Sequence, residues 1–181
     1  MLAFERLARE LAHHGAPERL LRALHRAARD EERHADSMGA LARKAGASTQ
    51  RPRLRRTRPR SLEAIALENA VEGCVRETFG AAIVLAQAFT AADPDVRSAM
   101  RKIAPDELRH AELARRVARW IEPRLQPAAR ERVARARARA TRDLVDAVAV
   151  PVATGLSLRF GNAGSEVATG IARRLGPLLR A

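Results

Sequence analysis

A five-residue pattern, Asp-Glu-x-Arg-His, occurs twice in the chain, at residues 30–34 and 106–110. In each copy the glutamate and the histidine are three residues apart, so in a helix they share one face. Both pairs continue lines of apolar residues at helical spacing, and such lines face a core. Because an unpaired polar group in a core is strongly destabilising, these four side chains need compensating partners.

The composition of the 181 residues favours helices over strands. Aromatic residues make up only 3% of the chain, and most of the apolar residues are Ala, Leu and Val. The length suffices for one core of ordinary size. We therefore expect an all-α protein.

Apolar periodicity predicts four consecutive helices in the first two thirds of the chain. The first ends before Pro17, the second spans about 17–45, the third begins at Ser61, and the fourth begins at Asp93 and ends near residue 121. Pro105 removes a hydrogen bond inside the fourth helix and predicts a kink there.

This order of elements predicts two parts of the chain. Residues 1–122 are expected to form an antiparallel four-helix bundle, with a long, Arg- and Pro-rich crossover loop at about 46–60. Residues 123–181 are expected to form an Arg-rich helical extension that packs on the bundle.

The formal net charge of +13 is carried almost entirely by arginine. Such a charge suggests an anionic partner, so an Arg-rich nucleic-acid-binding helical protein is one alternative. We do not favour it, because runs of charge are usually solvated surface. No apolar run is long enough to span a bilayer and no signal-peptide pattern is present, so we expect a cytoplasmic protein, although an incomplete N-terminus leaves export open.

The chemistry of the repeated Glu and His residues points to metal ions. A pair of divalent cations would compensate carboxylates and imidazoles on a core face. Hard carboxylate oxygens with one imidazole per ion suit iron first and manganese second. Cys74 is the only cysteine, so neither an intrachain disulfide nor a Cys-based zinc site is expected.

The two motifs resemble the D-E-x-R-H motifs of the ferritin-like superfamily of di-iron carboxylate proteins. The resemblance covers roughly residues 1–121. It implies that Glu31 and Glu107 bridge or chelate two iron ions and that His34 and His110 each bind one. It also implies that the third helix supplies a further carboxylate.

Glu72 is the first choice for that carboxylate, from its spacing to Glu107 and from an internal repeat of the helix pairs. Glu77 is the alternative, because a hairpin centred on Asp93 places it level with Glu107. Glu68, one turn before Glu72, could also approach the site.

Each motif begins with an aspartate, which is expected to support the histidine of the same motif. Asp30 and Asp106 lie four residues before His34 and His110, so each points in nearly the same direction as its histidine. A carboxylate in such a position can accept the ring N–H of a ligand histidine. Nearby arginines, Arg33 and Arg109, are expected to neutralise these aspartates.

The chain departs from the family pattern in its first helix. The register of the repeat places the first-helix carboxylate before Met1, and Glu5 and Glu10 lie too far along the helix to replace it. Either the true start lies upstream or the site has five ligands. An apolar helical line that begins at the first residue without any start signal favours the upstream start.

The resemblance alone does not choose among an oxidase, an oxygenase, a peroxidase and an iron store. Our first hypothesis is reaction with O2 as an oxidase or oxygenase on an unknown substrate, and a homodimer is compatible with it. A ferritin-like scaffold with an incomplete, non-catalytic metal site is the alternative. Because the chain has no tyrosine, a radical-generating ribonucleotide reductase subunit is excluded. An iron-storing cage is not expected either, because of the basic exterior and the extra C-terminal third.

Overall fold

The computed structural model describes residues 2–48, 58–148 and 165–180. Within these ranges the chain is helical and has no strand, which confirms the all-α class. The chain divides into two compact units, Met1–Leu62 and Glu63–Ala181. This division falls at the start of the third helix, and the boundary that the sequence predicts near residue 122 stays a prediction. No helix in the described ranges has the length and apolarity needed to cross a membrane.

The first unit contains two helices that pack on each other, α1 (Leu2–His13) and α2 (Glu18–Lys44). Gly15, at φ +75°, lies between them. Its amide binds the carbonyl of Ala12, and the next amide binds the carbonyl of Leu11, so the left-handed glycine ends α1 with its last carbonyls satisfied. The predicted helix end before Pro17 is therefore confirmed.

A buried ion pair ties the end of the first unit to α1. Arg60 donates from Nε and Nη2 to the two carboxylate oxygens of Glu10, each at 2.8 Å, and its carbonyl oxygen lies 2.7 Å from His14 Nε2. Burial of Glu10 opposes ionisation, but the hydrogen bonds and charge of Arg60, with the charge of Arg6, hold the pKa of Glu10 below its ordinary value. The ionised pair therefore stabilises the folded unit.

The second unit begins with a long helical run in three parts. They are α3 (Leu62–Glu68), a π-helical segment (Asn69–Glu77) and α4 (Thr78–Thr90). The unit continues with α5 (Pro94–Ile121), a short 3₁₀ turn (Glu122–Arg124), α6 (Pro127–Val148) and α7 (Ser165–Arg180). The π segment was not predicted, because apolar periodicity does not separate it from an α-helix.

Caps at both sides of a short turn fix the hairpin of α4 and α5. Asp93 Oδ1 accepts hydrogen bonds from the amides of Asp95 and Val96, which caps α5 as its sequence predicts. From the first turns of α5, Arg97 donates to the carbonyl of Ala92 in the turn, and Arg101 donates to the carbonyl of Ala88, one of the last residues of α4. The α5 helix continues through Pro105.

The C-terminal helices pack on elements of their own unit. The α6 helix contacts the π segment and α7, and α7 also contacts α4. Val133 and Thr141 of α6 are buried. An ion pair of 2.6 Å between Arg132 Nε and Glu63 Oε1 joins α6 to the first turn of α3. Part of the Arg-rich loop, and the segment between α6 and α7, lie outside the described residues.

We predict that Arg60→Ala lowers the free energy of unfolding by about 2 kcal/mol at pH 7, the range typical of hydrogen bonds to charged groups. Because the pKa of Glu10 is depressed in the folded unit, the pair stabilises above the unfolded pKa of about 4.3 and this stabilisation is lost as pH falls through the folded pKa.

Urea unfolding of wild type and Arg60→Ala between pH 3 and pH 7 measures this difference. The free energies of unfolding of the two proteins should converge as the pH falls. Arg58→Ala, which removes an exposed arginine nearby, is the control and should match wild type throughout. A deficit in Arg60→Ala that does not change with pH would show that the pair is not the cause.

Candidate metal centre

Three potential metal ligands meet in the second unit: Glu77, Glu107 and His110. Glu77 is the last residue of the π segment, and the other two lie on α5. One ligand atom from each side chain lies within 4.8 Å of the others. His110 is only 1% exposed, and its Nδ1 lies 3.6 Å from Glu77 Oε1.

The donor set of this cluster fits a hard divalent cation. Carboxylate oxygens with one imidazole suit iron or manganese, whereas structural zinc sites usually include thiolates. Two carboxylates balance the charge of one divalent ion. The side chains of Glu77 and Glu107 are partly exposed, at 29% for Glu77, so the cluster can be reached from solvent.

Of the three candidate glutamates on the long helical run, Glu77 is the one that lies in the cluster, and it ends the π segment. A π turn closes hydrogen bonds from residue i to i+5 and so changes the facing of the residues beyond it. Glu72 is outside the cluster: its side chain is 54% exposed and accepts a 2.7 Å hydrogen bond from Arg76. The structure thus brings the alternative, Glu77, to the cluster. Glu68 lies in α3 and is not part of it.

The first copy of the motif lies on α2, in the first unit. His34 is buried, and its Nδ1 lies 3.3 Å from Glu31 Oε1, so the three-residue spacing brings this Glu and His into contact on one helix face. The acidic residues of α1 have other partners. Glu5 lies 3.4 Å from His25 Nδ1, and Glu10 binds Arg60.

The two aspartates of the motifs are buried and bind arginine. Arg33 Nη2 donates to Asp30 Oδ1 at 2.7 Å, and Arg109 Nη2 donates to Asp106 Oδ1. The prediction that these arginines neutralise the aspartates is therefore confirmed. The prediction that the aspartates also hold the ring N–H of the histidines stays a prediction.

A buried polar contact beside the cluster was missed at the sequence level. Asn69, the first residue of the π segment, is buried, and its Nδ2 donates to the carbonyl oxygen of Ala114 on α5 at 3.0 Å. The same amide nitrogen lies 3.7 Å from the sulfur of Cys74. The available signal was an asparagine four residues after the buried Ile65, on the same line of a helix.

Cys74 is buried between the π segment and α5. Burial is the main reason that the pKa of its thiol is raised; the charge of Glu122 adds to this, while Arg137 and Arg115 oppose it. A raised pKa leaves little thiolate at neutral pH, and the thiolate is the reactive form. Cys74 is therefore a structural residue.

Comparison with protein-family models, with curated proteins and with solved structures finds no match for this chain.

We predict that Cys74 does not react with Ellman's reagent in the folded protein at pH 7 and reacts fully in urea. Arg76→Cys, introduced in a Cys74→Ala background, places a thiol at an exposed position of the same segment and should react at once. Fast labelling of Cys74 in the native protein would contradict both its burial and its raised pKa.

Proposed function

We propose that this chain is a ferritin-like metal-binding protein in which Glu77, Glu107 and His110 bind an iron ion, with manganese as the second choice. The observation that carries the proposal is the meeting of these three donors, two carboxylates and the buried imidazole of His110. Two carboxylates held close together repel each other, and a divalent cation removes that repulsion while using all three donors.

The second ion of a di-iron site is proposed from the sequence. Glu31 and His34 repeat the spacing of Glu107 and His110, and in the ferritin-like proteins that the motifs resemble, two such pairs serve two ions. The contact of Glu31 with His34 supports this role, because both donors already face the same way on α2.

The reaction that we propose is oxidation by O2, as an oxidase or oxygenase. Ferrous iron would supply the electrons for that chemistry, while the protein supplies ligands, orientation and limited access of water. The geometry suits this chemistry. The buried imidazole of His110 would hold the ion on the protein side, and the partly exposed carboxylate of Glu77 would hold it on the side open to solvent.

We predict that the metal-free protein binds two ferrous or cobaltous ions per chain. Removing a ligand should weaken binding more than the roughly 10- to 100-fold that loss of an outer partner costs. His110→Ala and Glu77→Gln should each show this loss, because each removes a donor of the cluster. Titration of the metal-free protein with Fe²⁺ or Co²⁺ under anaerobic conditions, monitored by calorimetry, measures the stoichiometry and the affinity.

Glu72→Gln is the matched control, because it makes the same change in an exposed glutamate of the same segment. It should bind metal as wild type does. If Glu72→Gln weakens binding and Glu77→Gln does not, the assignment of the third-helix ligand is wrong. Metal binding without oxidation of ferrous iron by air would favour the non-catalytic scaffold over the oxidase.

A further inference from the structure

The π segment also contacts α5 at Ala114, one helical turn beyond the ligand His110. At this level Asn69 donates to the carbonyl oxygen of Ala114 at 3.0 Å. Ala114 lies four residues after His110, on the same face of α5, and Glu77 lies four residues after Gly73. The Asn69–Ala114 contact and the Glu77–His110 contact are therefore successive contacts of the same two helices.

Gly73 lies between these two contacts, where the helices approach too closely for a side chain. A Cβ at this position would lie 2.7 Å from Asn69 Oδ1 and 2.9 Å from Ala114 Cβ, and Cβ atoms essentially never come so close. Gly80, in α4, differs, because a Cβ there would meet nothing within 4 Å. The requirement for glycine is thus local to the contact with Ala114.

Asn69 and Gly73 both lie in the π segment. The π-helix is rare and appears mostly as a short interruption of an α-helix, so contacts beyond its own backbone must favour it here. The segment begins at Asn69, whose buried amide would lose its oxygen acceptor and keep only the 3.7 Å contact with the sulfur of Cys74 if the helix moved away from Ala114.

We propose that Asn69 and Gly73 are positioning residues for the metal site. They hold the π segment against Ala114 and fix the rotation of the helix that directs Glu77 toward His110. In an α-helix a slip by one residue turns each side chain by about 100°, enough to remove a carboxylate from its partner. This inference rests on the proposed function, because it takes Glu77 as a ligand.

The test compares two substitutions of the positioning residues with two matched controls. Asn69→Ala removes the hydrogen bond to Ala114, and Gly73→Ala inserts a methyl group where there is no room. Gly80→Ala makes the same glycine change in open space. Val75→Ala removes methyl groups from a fully buried residue of the π segment and so lowers the melting temperature without touching the Asn69 contact.

The first measurement needs no metal. In the metal-free protein, a nuclear Overhauser contact between the side chains of Glu77 and His110 reports their approach. We expect Asn69→Ala and Gly73→Ala to lose this contact while their far-UV circular dichroism stays helical. Gly80→Ala and Val75→Ala should keep it.

The second measurement is titration with Co²⁺, read by affinity and by the visible absorption bands that report its ligands. We expect Asn69→Ala and Gly73→Ala to bind Co²⁺ roughly 10- to 100-fold more weakly, as outer partners of metal ligands do, with altered bands. Gly80→Ala and Val75→Ala should retain both the affinity and the bands of wild type.

The inference is overturned if Asn69→Ala keeps both the Glu77–His110 contact and the wild-type bands. It is also overturned if Val75→Ala loses them in proportion to its lower melting temperature, which would indicate a general loss of packing. Should Gly73→Ala not fold, Asn69→Ala decides alone. A wild-type protein that binds no Co²⁺ refutes the proposed function, while the metal-free contact still decides the role of Asn69 and Gly73.

Discussion

The burial of the His110 imidazole beside two carboxylates is the constraint on which the second unit depends. A single helix, α5, supplies His110 and Glu107, so the remaining carboxylate must come from the helix packed against it. The alignment of these helices is fixed at the turn, where Asp93 caps α5 and Arg101 satisfies a carbonyl near the end of α4. The cap of α5 and the hydrogen bond of Arg101 therefore hold together the two helices on either side of the turn.

Periodicity and motif spacing predicted much of the fold and part of the site. Helical class, helix ends and the pairing of Glu with His at three-residue spacing depend on local geometry, which the sequence displays directly. The facing of Glu72 and Glu77 depends on a switch from i→i+4 to i→i+5 hydrogen bonding, which a constant period of 3.6 cannot reveal. That switch accompanies a tertiary contact, Asn69 with Ala114, and such contacts have no sequence period.

Arginines of α6 form ion pairs with carboxylates. On α6, Arg132 binds Glu63, Arg137 binds Glu122, and Arg139 lies 3.6 Å from Asp143. A guanidinium held by a carboxylate contributes little field for attracting a polyanion. Paired charges cancel, so these ion pairs leave the formal net charge of +13 unchanged, and nucleic acid stays an alternative partner.

The close approach of the π segment to α5 at Gly73 limits which residues the segment can carry. Asn69 makes a directed hydrogen bond and Gly73 leaves no room for a methyl group, so these two positions are restricted more tightly than apolar positions, where hydrophobic residues of similar volume substitute for one another. Larger side chains at position 73 are therefore excluded unless Asn69 or Ala114 moves.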